Sequence, residues 1–453
     1  MLRALATRTI DFFRPPALPG GAWRTFRYHL AYALLDAAAG GILLNAPFMA
    51  LHAMGGKNWQ LPMRELLTGV GMLAGLYLGS WMARRPKMPF VFGPGVMCVQ
   101  STIAMSLVAG NAFWFLTFFG ISAMFEVMTR PATAAILRLC YPASCRGLAT
   151  GEVRKWSSLA FVVASLLSAW LLDRSADGTL GTARLVVFCA ALLSLASFVC
   201  FRQIQVHEPL DETARSQRIG VLKHVCDAVE VFGDARYRRY LLACFVDGFC
   251  GMLYFPLIVA FFASLKFGYV ETTVFVHAIP ALTAFAITGW LGRWFDRTSP
   301  WFSWTWIRFA WGLDALLLAA TPLATDFLLL PVVLLPLAGR LLRGSVQGGQ
   351  WVLWWQVGVT HFAPPGQDTS RYVGVMVFLN GAIRLAASAA GIGLAAFGVE
   401  PATLLVIGGT GVVLSGVYSL RQAGRERREH QPETIAEFEA QFAGAGPRVS
   451  KGG

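Results

Sequence analysis

Eight charged side chains fall inside long apolar stretches of the sequence, where a charge needs a partner or a water-filled cavity. Placing a charge in the interior of a bilayer costs at least about 2.5–3.5 kcal/mol, so such residues usually mark a functional site or a buried ion pair. These eight are the candidates for chemistry: Asp36, Glu126, Arg130, Asp247, Asp314, Arg340, Arg343 and Arg384.

Glu126 and Arg130 have the most informative spacing. They are four positions apart, so on a helix they share one face and can form an ion pair without another helix. A buried carboxylate beside an arginine can exchange a proton, because burial and the positive charge act on its ionisation in opposite directions. The pair could instead be a static salt bridge that fixes helix register. We predict that Glu126 carries a proton and that Arg130 binds a solute.

The arginines of the second half of the chain have the chemistry of an anion site. A guanidinium matches a carboxylate or phosphate group with two parallel hydrogen bonds. Arg340, Arg343 and Arg384 therefore favour an anionic solute, with an uncharged polyol or sugar as the alternative. Asp314 is expected to pair with Arg308 and to have a structural role. The other candidates for solute binding are Asp247, Asn45, Gln347 and Asn380.

Membrane-spanning helices must position these residues. The 453-residue chain is 56% hydrophobic and only 14% charged, whereas soluble proteins are about a quarter charged. Its apolar residues come in blocks of about 20, the length a helix needs to cross about 30 Å of hydrocarbon. This pattern excludes a soluble enzyme and an outer-membrane barrel, whose strands are about ten residues long. We predict twelve spans: 28–50, 63–83, 88–108, 112–140, 152–173, 182–202, 238–262, 272–294, 303–322, 327–358, 372–397 and 402–421.

The formal net charge of +13 follows the topology of these spans. Lys and Arg are concentrated in every second gap between spans, beginning with the N-terminal segment, and are sparse in the alternate gaps. Short loops rich in Lys and Arg stay in the cytoplasm, so both termini are predicted to lie there. The basic residues therefore do not require a nucleic-acid partner.

The sequence predicts neither a metal site nor a cofactor. The eight cysteines include no CxxC pair, and the seven histidines form no ligand cluster with them. No GxxxxGK[ST] motif is present, so any pumping would have to use a gradient rather than ATP.

One long polar interruption, at residues 203–237, divides the chain into two halves. We predict a cytoplasmic N-terminal segment at 1–27, a six-helix bundle at 28–202, a cytoplasmic linker at 203–237, a second six-helix bundle at 238–421 and a cytoplasmic tail at 422–453.

The two halves repeat each other. Asp36 and Asp247 are counterparts, each followed four positions later by a glycine and then by a proline. One constant distance along the chain separates the members of three further pairs: Gly79 and Gly292, Arg84 and Arg297, Arg130 and Arg343. Such repeats are typical of secondary transporters, whose solute site lies between the halves near the middle of the membrane.

With these features the sequence resembles the major facilitator superfamily of secondary transporters over about residues 27–421. The family's marker is the motif Gly-x-x-x-Asp-(Arg/Lys)-x-Gly-(Arg/Lys) after the second span, often echoed after the eighth. The first copy here has Ala83 for the aspartate and Pro86 for the second glycine. The residues that match are Gly79, Arg84 and Lys87 in the first copy and Gly292, Asp296 and Arg297 in the second.

The resemblance implies an all-α polytopic membrane protein whose twelve transmembrane helices form two pseudo-symmetric six-helix bundles. In that fold the first and fourth spans border the cavity, which would place Asp36 beside Arg130 as a second proton carrier. The matching loop residues would take part in conformational change. The family's loop aspartate is thought to latch the halves in the outward-facing state, so with Ala83 a latch would need Asp296 or other contacts. Span five lacks the Gly-Pro motif of drug/proton antiporters, which argues against that branch.

We therefore predict a secondary active transporter, not an enzyme, that moves a small polar and preferably anionic solute by alternating access coupled to protons. Its partners would be the solute and membrane lipid, without nucleic acid. The protein would act as a monomer in the cell or inner membrane. The alternative is a non-transporting membrane scaffold or assembly factor with a transporter-like fold, which the degenerate first loop motif favours slightly.

Overall fold

A computed structural model describes residues 20–82, 85–141, 143–175, 179–206, 230–295, 298–352 and 369–429. All regular secondary structure in these segments is helical. The α-helices are α1 (Gly20–Leu43), α2 (Ala46–Met54), α3 (Met63–Met82), α4 (Met88–Leu107), α5 (Ala112–Cys140), α6 (Ala143–Arg174), α7 (Thr179–Arg202), α8 (Ala235–Tyr254), α9 (Ile258–Ser264), α10 (Tyr269–Thr273), α11 (Ile279–Phe295), α12 (Pro300–Leu328), α13 (Leu334–Val352), α14 (Thr369–Ala396) and α15 (Pro401–Glu429).

Ten helical segments of the described chain are long and apolar enough to cross a membrane. They coincide with ten of the twelve predicted spans. The other two predicted spans, at 63–83 and 327–358, correspond to α3 and α13, which are not among the ten. The ninth span is longer than predicted. The prediction ends it at Pro322, but α12 continues through this proline to Leu328.

Several helices begin at a side chain that accepts hydrogen bonds from the first turn. Asn111 accepts from two backbone N–H groups at the start of α5, and Asp234 does the same for α8. Ser299 caps α12 and is followed by Pro300, whose missing N–H costs nothing at the first helical position. These helix starts follow from local chemistry.

Three spans are interrupted where a proline removes a backbone donor and crowds the preceding turn. The first span divides into α1 and α2 just before Pro47. The seventh divides into α8 and α9 at a 3-10 turn that contains Pro256. In the eighth, a π-helical turn at Val274–Ala278 precedes Pro280. The interruptions coincide with these three prolines, whereas Pro131 lies inside the uninterrupted α5.

The helices of each half of the chain pack mainly on one another. In the first half, α1 contacts α6 and α7, α5 contacts α3 and α4, and α4 contacts α7. In the second half, α8 contacts α14 and α15, α12 contacts α13 and α15, and α11 contacts α13. Between the halves, α3 contacts α14, α6 contacts α10 and α11, and α2 contacts α9.

One buried apolar cluster joins the two halves at one end of the molecule. Among the buried apolar clusters of the described residues, one contains residues of both halves, including Phe48 and Met49 of α2 and Val259 and Ala260 of α9. The other clusters each belong to a single half. The shared cluster lies at the end with few Lys and Arg residues, which we call the sparsely charged end. The opposite end, with the basic loops, is the basic end, and there the halves have separate cores.

Candidate functional site

Six charged side chains from four helices meet between the two halves, and we call them the central charge cluster. They are Asp36 of α1, Arg64 and Glu65 of α3, Glu126 and Arg130 of α5, and Arg384 of α14. Asp36 interacts electrostatically with Glu126 and Arg130. Arg130 also acts on Glu65 and Arg384. The cluster therefore joins three predicted residues of the first half to one predicted residue of the second.

Glu126 and Arg130 form the ion pair that their spacing predicts. Arg130 Nη2 donates to Glu126 Oε1 at 2.7 Å. The side chains are 50% and 37% exposed, respectively. Both side chains are therefore partly accessible, and their charged neighbours lie on α1, α3 and α14.

Asp36 lies beside this pair on α1. Its surroundings include Tyr32, one turn earlier, and Cys98 of α4, both of which interact electrostatically with it. Unlike Glu65 and Glu126, Asp36 has no direct ion pair within the described segments. Protonation of Asp36 would therefore break no salt bridge of the cluster.

Glu65 joins the two halves. Its side chain is only 3% exposed, and Oε1 accepts a hydrogen bond from Arg64 at 2.6 Å. The other carboxylate oxygen accepts from Arg384 of α14. The Arg64 Nε is buried and has no hydrogen-bond partner among the residues that the structure describes. Glu65 thus holds two guanidinium groups that are themselves partly exposed, at 28% for Arg64 and 23% for Arg384.

The helices that carry this ion pair are in backbone contact. A Cβ atom at Gly69 would lie 2.9 Å from the Gly381 carbonyl oxygen and 2.9 Å from the Leu385 nitrogen. Only glycine at these crossing points lets α3 and α14 approach closely enough for Glu65 to reach Arg384.

The predicted solute-binding residues Asp247 and Arg343 lie in separate ion pairs inside the second half. Arg343 Nη1 is 3.6 Å from Asp314 Oδ2, and its guanidinium lies 4.1 Å from the Trp311 ring centroid. Arg308 Nε is 3.8 Å from Asp247 Oδ2. Arg130 and Arg343, which are counterparts in the repeat, therefore have different environments, since one is accessible and the other is buried.

The expected pairing of Asp314 with Arg308 is wrong. Asp314 instead accepts a hydrogen bond from Arg340 of α13, and both side chains are fully buried. Arg308 donates to Ser419 of α15. Six residues advance a helix by about 1.7 turns, so Arg308 and Asp314 lie on different faces of α12. Each then pairs with a residue of a different helix.

Polar contacts between the halves close the sparsely charged end. Asn45, a predicted solute ligand, donates to Ser168 Oγ at 2.8 Å and accepts from Thr273 of the other half at 2.7 Å. At the end of α6, the Asp173 carboxylate accepts from the backbone N–H groups of Tyr269 and Val270, each at 2.9 Å. A carboxylate at a helix N-terminus is favourable in both hydrogen bonding and charge. We call these contacts the polar gate.

The remaining predicted site residues are more scattered. Gln347 is exposed on α13, and Asn380 is buried on α14, where it donates to the Met376 carbonyl. Gly79 and Gly292 lie near the ends of α3 and α11, and Lys87 immediately precedes α4. The loop residues Arg84, Asp296 and Arg297 lie outside the described segments.

The sequence reasoning missed Arg64, Glu65 and Asp173. All three lie at the predicted ends of spans, where charged residues are ordinary. One signal was available for Glu65, because it falls inside the predicted span 63–83 and is the only acidic residue there. No sequence signal connects Asp173 with α10.

Comparison with known families supports the transporter fold. The family model described as Major Facilitator Superfamily matches residues 29–391, which is most of the chain. No curated protein sequence matches the chain significantly.

Solved structures of transporters share this fold at low sequence identity. A POT family transporter in complex with 5-aminolevulinic acid has a TM-score of 0.68 and 11% identity, covering 89% of this chain and 96% of that one. A D-xylose-proton symporter has a TM-score of 0.65 and 12% identity, covering 88% and 97%. The nucleoside transporter NupG has a TM-score of 0.61 and 12% identity, covering 87% and 98%.

These matches, together with ten apolar helices, identify an integral multi-pass membrane protein with a transporter fold. The predicted resemblance is confirmed: the chain belongs to the Major Facilitator Superfamily.

Proposed function

We propose that this protein is a secondary active transporter that moves a small, polar, anionic solute by alternating access coupled to protons. The observation that supports this proposal is the central charge cluster, which lies between the halves and is partly accessible. Alternating access requires a site that both halves touch. Arg384 reaches across to Glu65, so both halves contribute to this one.

The proposed topology has twelve spans in two six-helix bundles, with α3 and α13 as the two spans that complete the count. Both termini would lie in the cytoplasm, at the basic end. The halves are sealed at the sparsely charged end and have separate cores at the basic end. On this topology, the shared cluster at the sparsely charged end supports a state open toward the cytoplasm.

Within this mechanism Asp36 and Glu126 are the proton-carrying groups, and Arg130 and Arg384 orient the solute. The guanidinium groups of the cluster are partly exposed, whereas Glu65 is buried behind them. A solute at this site would meet three partly exposed guanidinium groups and one partly exposed carboxylate, that of Glu126, and this excess of positive charge favours a carboxylate or phosphate. The predicted ligands Arg343 and Asp247 would contribute only after a rearrangement, because both are buried in ion pairs.

The test is a thermal-stability screen of the purified protein with organic acids, phosphates, sugars, amino acids and nucleosides. A ligand at about 100 times its dissociation constant stabilises the protein by about 2.7 kcal/mol. Stabilisation should disappear in Arg130→Ala and lose its pH dependence in Asp36→Asn. Glu152→Gln is the matched control, because Glu152 belongs to a surface pair with Lys155 on α6. A ligand that stabilises Arg130→Ala as strongly as the wild type would contradict this site.

A membrane scaffold or assembly factor is the second candidate. The observation that favours it is the first loop motif, which has Ala83 and Pro86 at two of its conserved positions. A scaffold would show no stabilisation by any solute class, and Asp36→Asn would leave its cellular role intact. A transporter would lose its activity in the same variant.

A further inference from the structure

The second half of the protein buries more guanidinium groups than carboxylates. Arg308, Arg340 and Arg343 are exposed by 1%, 0% and 4%, respectively. Among the described residues, the acids within ion-pair distance of these arginines are Asp247 and Asp314, which are also buried. One buried positive charge is therefore left without a counterion. Because an unpaired charge is costly in a low-dielectric interior, this region needs one further negative charge.

The excess charge lies beside Asp314, whose Oδ2 atom serves two arginines. This oxygen accepts a hydrogen bond from Arg340 and lies 3.6 Å from Arg343 Nη1, which is too far for a hydrogen bond. One carboxylate neutralises one guanidinium group, so Arg340 and Arg343 together keep a net charge of one. The other two charged groups, Asp247 and Arg308, form a pair that is balanced by itself.

Unused hydrogen-bond donors surround this excess charge. Arg340 Nε, Arg340 Nη1, Arg343 Nη1 and Trp311 Nε1 are buried and have no hydrogen-bond partner within the described segments. The three side chains lie close together, because both guanidinium groups approach one oxygen of Asp314 and that of Arg343 lies 4.1 Å from the Trp311 ring centroid. We call Trp311, Arg340 and Arg343 the buried arginine site. About 90% or more of buried polar groups in proteins are hydrogen-bonded, so these donors indicate a missing acceptor.

The helices around the buried arginine site leave room for a small ligand only. A Cβ atom at Gly339 would lie 2.9 Å from Asp314 Oδ1, and one at Gly344 would lie 2.8 Å from the Pro280 carbonyl oxygen. These two glycines flank the arginines on α13, so α13 is in close contact with α12 on one side of the site and with α11 on the other. Asp314 Oδ1, which has no hydrogen-bond partner in the described part of the chain, lies against Gly339.

The charge of the site distinguishes an ion from a water molecule. Water can accept hydrogen bonds from some of the unused donors, but it leaves the positive charge uncompensated. A monovalent anion accepts several hydrogen bonds and neutralises the excess charge at the same time. A divalent anion would leave the site negative, and the close helix contacts exclude a large organic anion.

We propose that the second half of the protein binds a small monovalent inorganic anion, for which chloride is the probe, at the buried arginine site. The ion stabilises the packing of α12 against α13. It is a resident ligand rather than the transported solute, because the side chains that hold it all belong to one half. This inference is therefore independent of the proposed transport function.

The test measures the melting temperature of the purified full-length protein, prepared without halide, as chloride replaces methanesulfonate. Methanesulfonate is a larger monovalent anion, and the sodium concentration and pH are held constant. Above the dissociation constant of the ion, we expect the melting temperature to rise linearly with the logarithm of the chloride concentration. Bromide should have the same effect. Equal melting temperatures in chloride, bromide and methanesulfonate would overturn the inference.

One substitution removes the excess charge, and a matched one tests the location of the ion. Arg343→Met leaves the remaining pair neutral, so its melting temperature should not depend on chloride. Arg130→Met makes the same change in the central charge cluster and should keep the full chloride dependence. A chloride effect that persists in Arg343→Met, or that disappears in Arg130→Met, would place the ion elsewhere and refute the assignment.

Trp311→Phe provides a second variant in case Arg343→Met does not fold. It removes one donor and leaves every charge in place. The chloride concentration needed for half-maximal stabilisation should therefore rise about three- to tenfold, which corresponds to the loss of one hydrogen bond. An unchanged concentration would contradict the site.

Discussion

The two hydrogen bonds between Asp173 and the start of α10 are expected to hold the sparsely charged end closed. Asp173 accepts from the backbone N–H groups of Tyr269 and Val270, each at 2.9 Å, and these residues belong to the opposite half. The aspartate of the family's first loop motif is replaced by Ala83 here, so a latch has to come from other contacts. We therefore predict that Asp173→Ala shifts the protein toward a state that is open at the sparsely charged end.

The size of the shift follows from the two bonds. A hydrogen bond to a charged group contributes about 1.5–3 kcal/mol. Both bonds go to one carboxylate near the surface, and water can take the place of this carboxylate when the gate opens. We therefore expect the two bonds together to contribute about 1.5–3 kcal/mol to the free energy of closure. Every 1.4 kcal/mol is a factor of about ten in an equilibrium, so the closed-to-open ratio should fall roughly ten- to a hundredfold. Asp173→Asn keeps one acceptor and should give about half of the free-energy change.

Hydrogen–deuterium exchange measured by mass spectrometry can test this shift on the unlabelled protein. In Asp173→Ala, peptides covering 44–56 and 256–275 should exchange faster, because α2, α9 and α10 form the seal. Peptides from the basic end, such as 369–384, should exchange more slowly as that end closes. Asp326→Ala is the control, since Asp326 is an exposed aspartate near the end of α12 and is outside the gate.

Two results would refute the reasoning about Asp173. Unchanged exchange of both gate peptides would mean that the apolar cluster alone keeps the end closed. Equal effects of Asp173→Ala and Asp326→Ala would mean that any loss of negative charge at this end suffices.

Two further substitutions test the packing that supports the site. Asp314→Leu leaves Arg340 and Arg343 buried without their shared counterion and should destabilise the protein by about 3–5 kcal/mol. The double variant with Arg340→Met removes one of the two unpaired charges and should recover part of the lost melting temperature, and no recovery would show that the pair has another role. Gly69→Val should separate α3 from α14 and cost about 1–3 kcal/mol, because its Cβ would meet the Gly381 carbonyl at 2.9 Å. Gly75→Val, where a Cβ would have no neighbour within 4 Å, is its control, and equal melting temperatures for the two variants would contradict the close approach.

The ion pair between Glu65 and Arg384 gives the proposed mechanism a direct connection between ligand and conformation. Arg384 lies on α14 of the second half and forms an ion pair with Glu65 of the first half, within the central charge cluster. A solute that competes for Arg384 would weaken one of the contacts between the halves. Binding and movement would then share the same side chains.

Features that depend on single helices follow from the amino-acid sequence alone. Apolar blocks of the right length predicted ten spans that the structure contains. The spacing of Glu126 and Arg130 fixed their ion pair, because positions four apart on a helix always share a face. Pro47, Pro256 and Pro280 coincide with the interruptions of three spans, because a proline removes a donor and crowds the preceding turn, although Pro131 leaves α5 uninterrupted.

Which helix faces which depends on how the helices pack in three dimensions. Arg384 finds Glu65 because the paired glycines of α3 and α14 let those helices touch, and Asp173 finds α10 because the halves meet at one end. Asp314 takes Arg340 rather than Arg308 because α13 packs against the face of α12 that carries the aspartate. Helical periodicity determines the direction in which each side chain leaves its own helix. The residue that it meets on a neighbouring helix depends on how both helices are rotated and packed. The spacing of residues within one helix does not specify that arrangement.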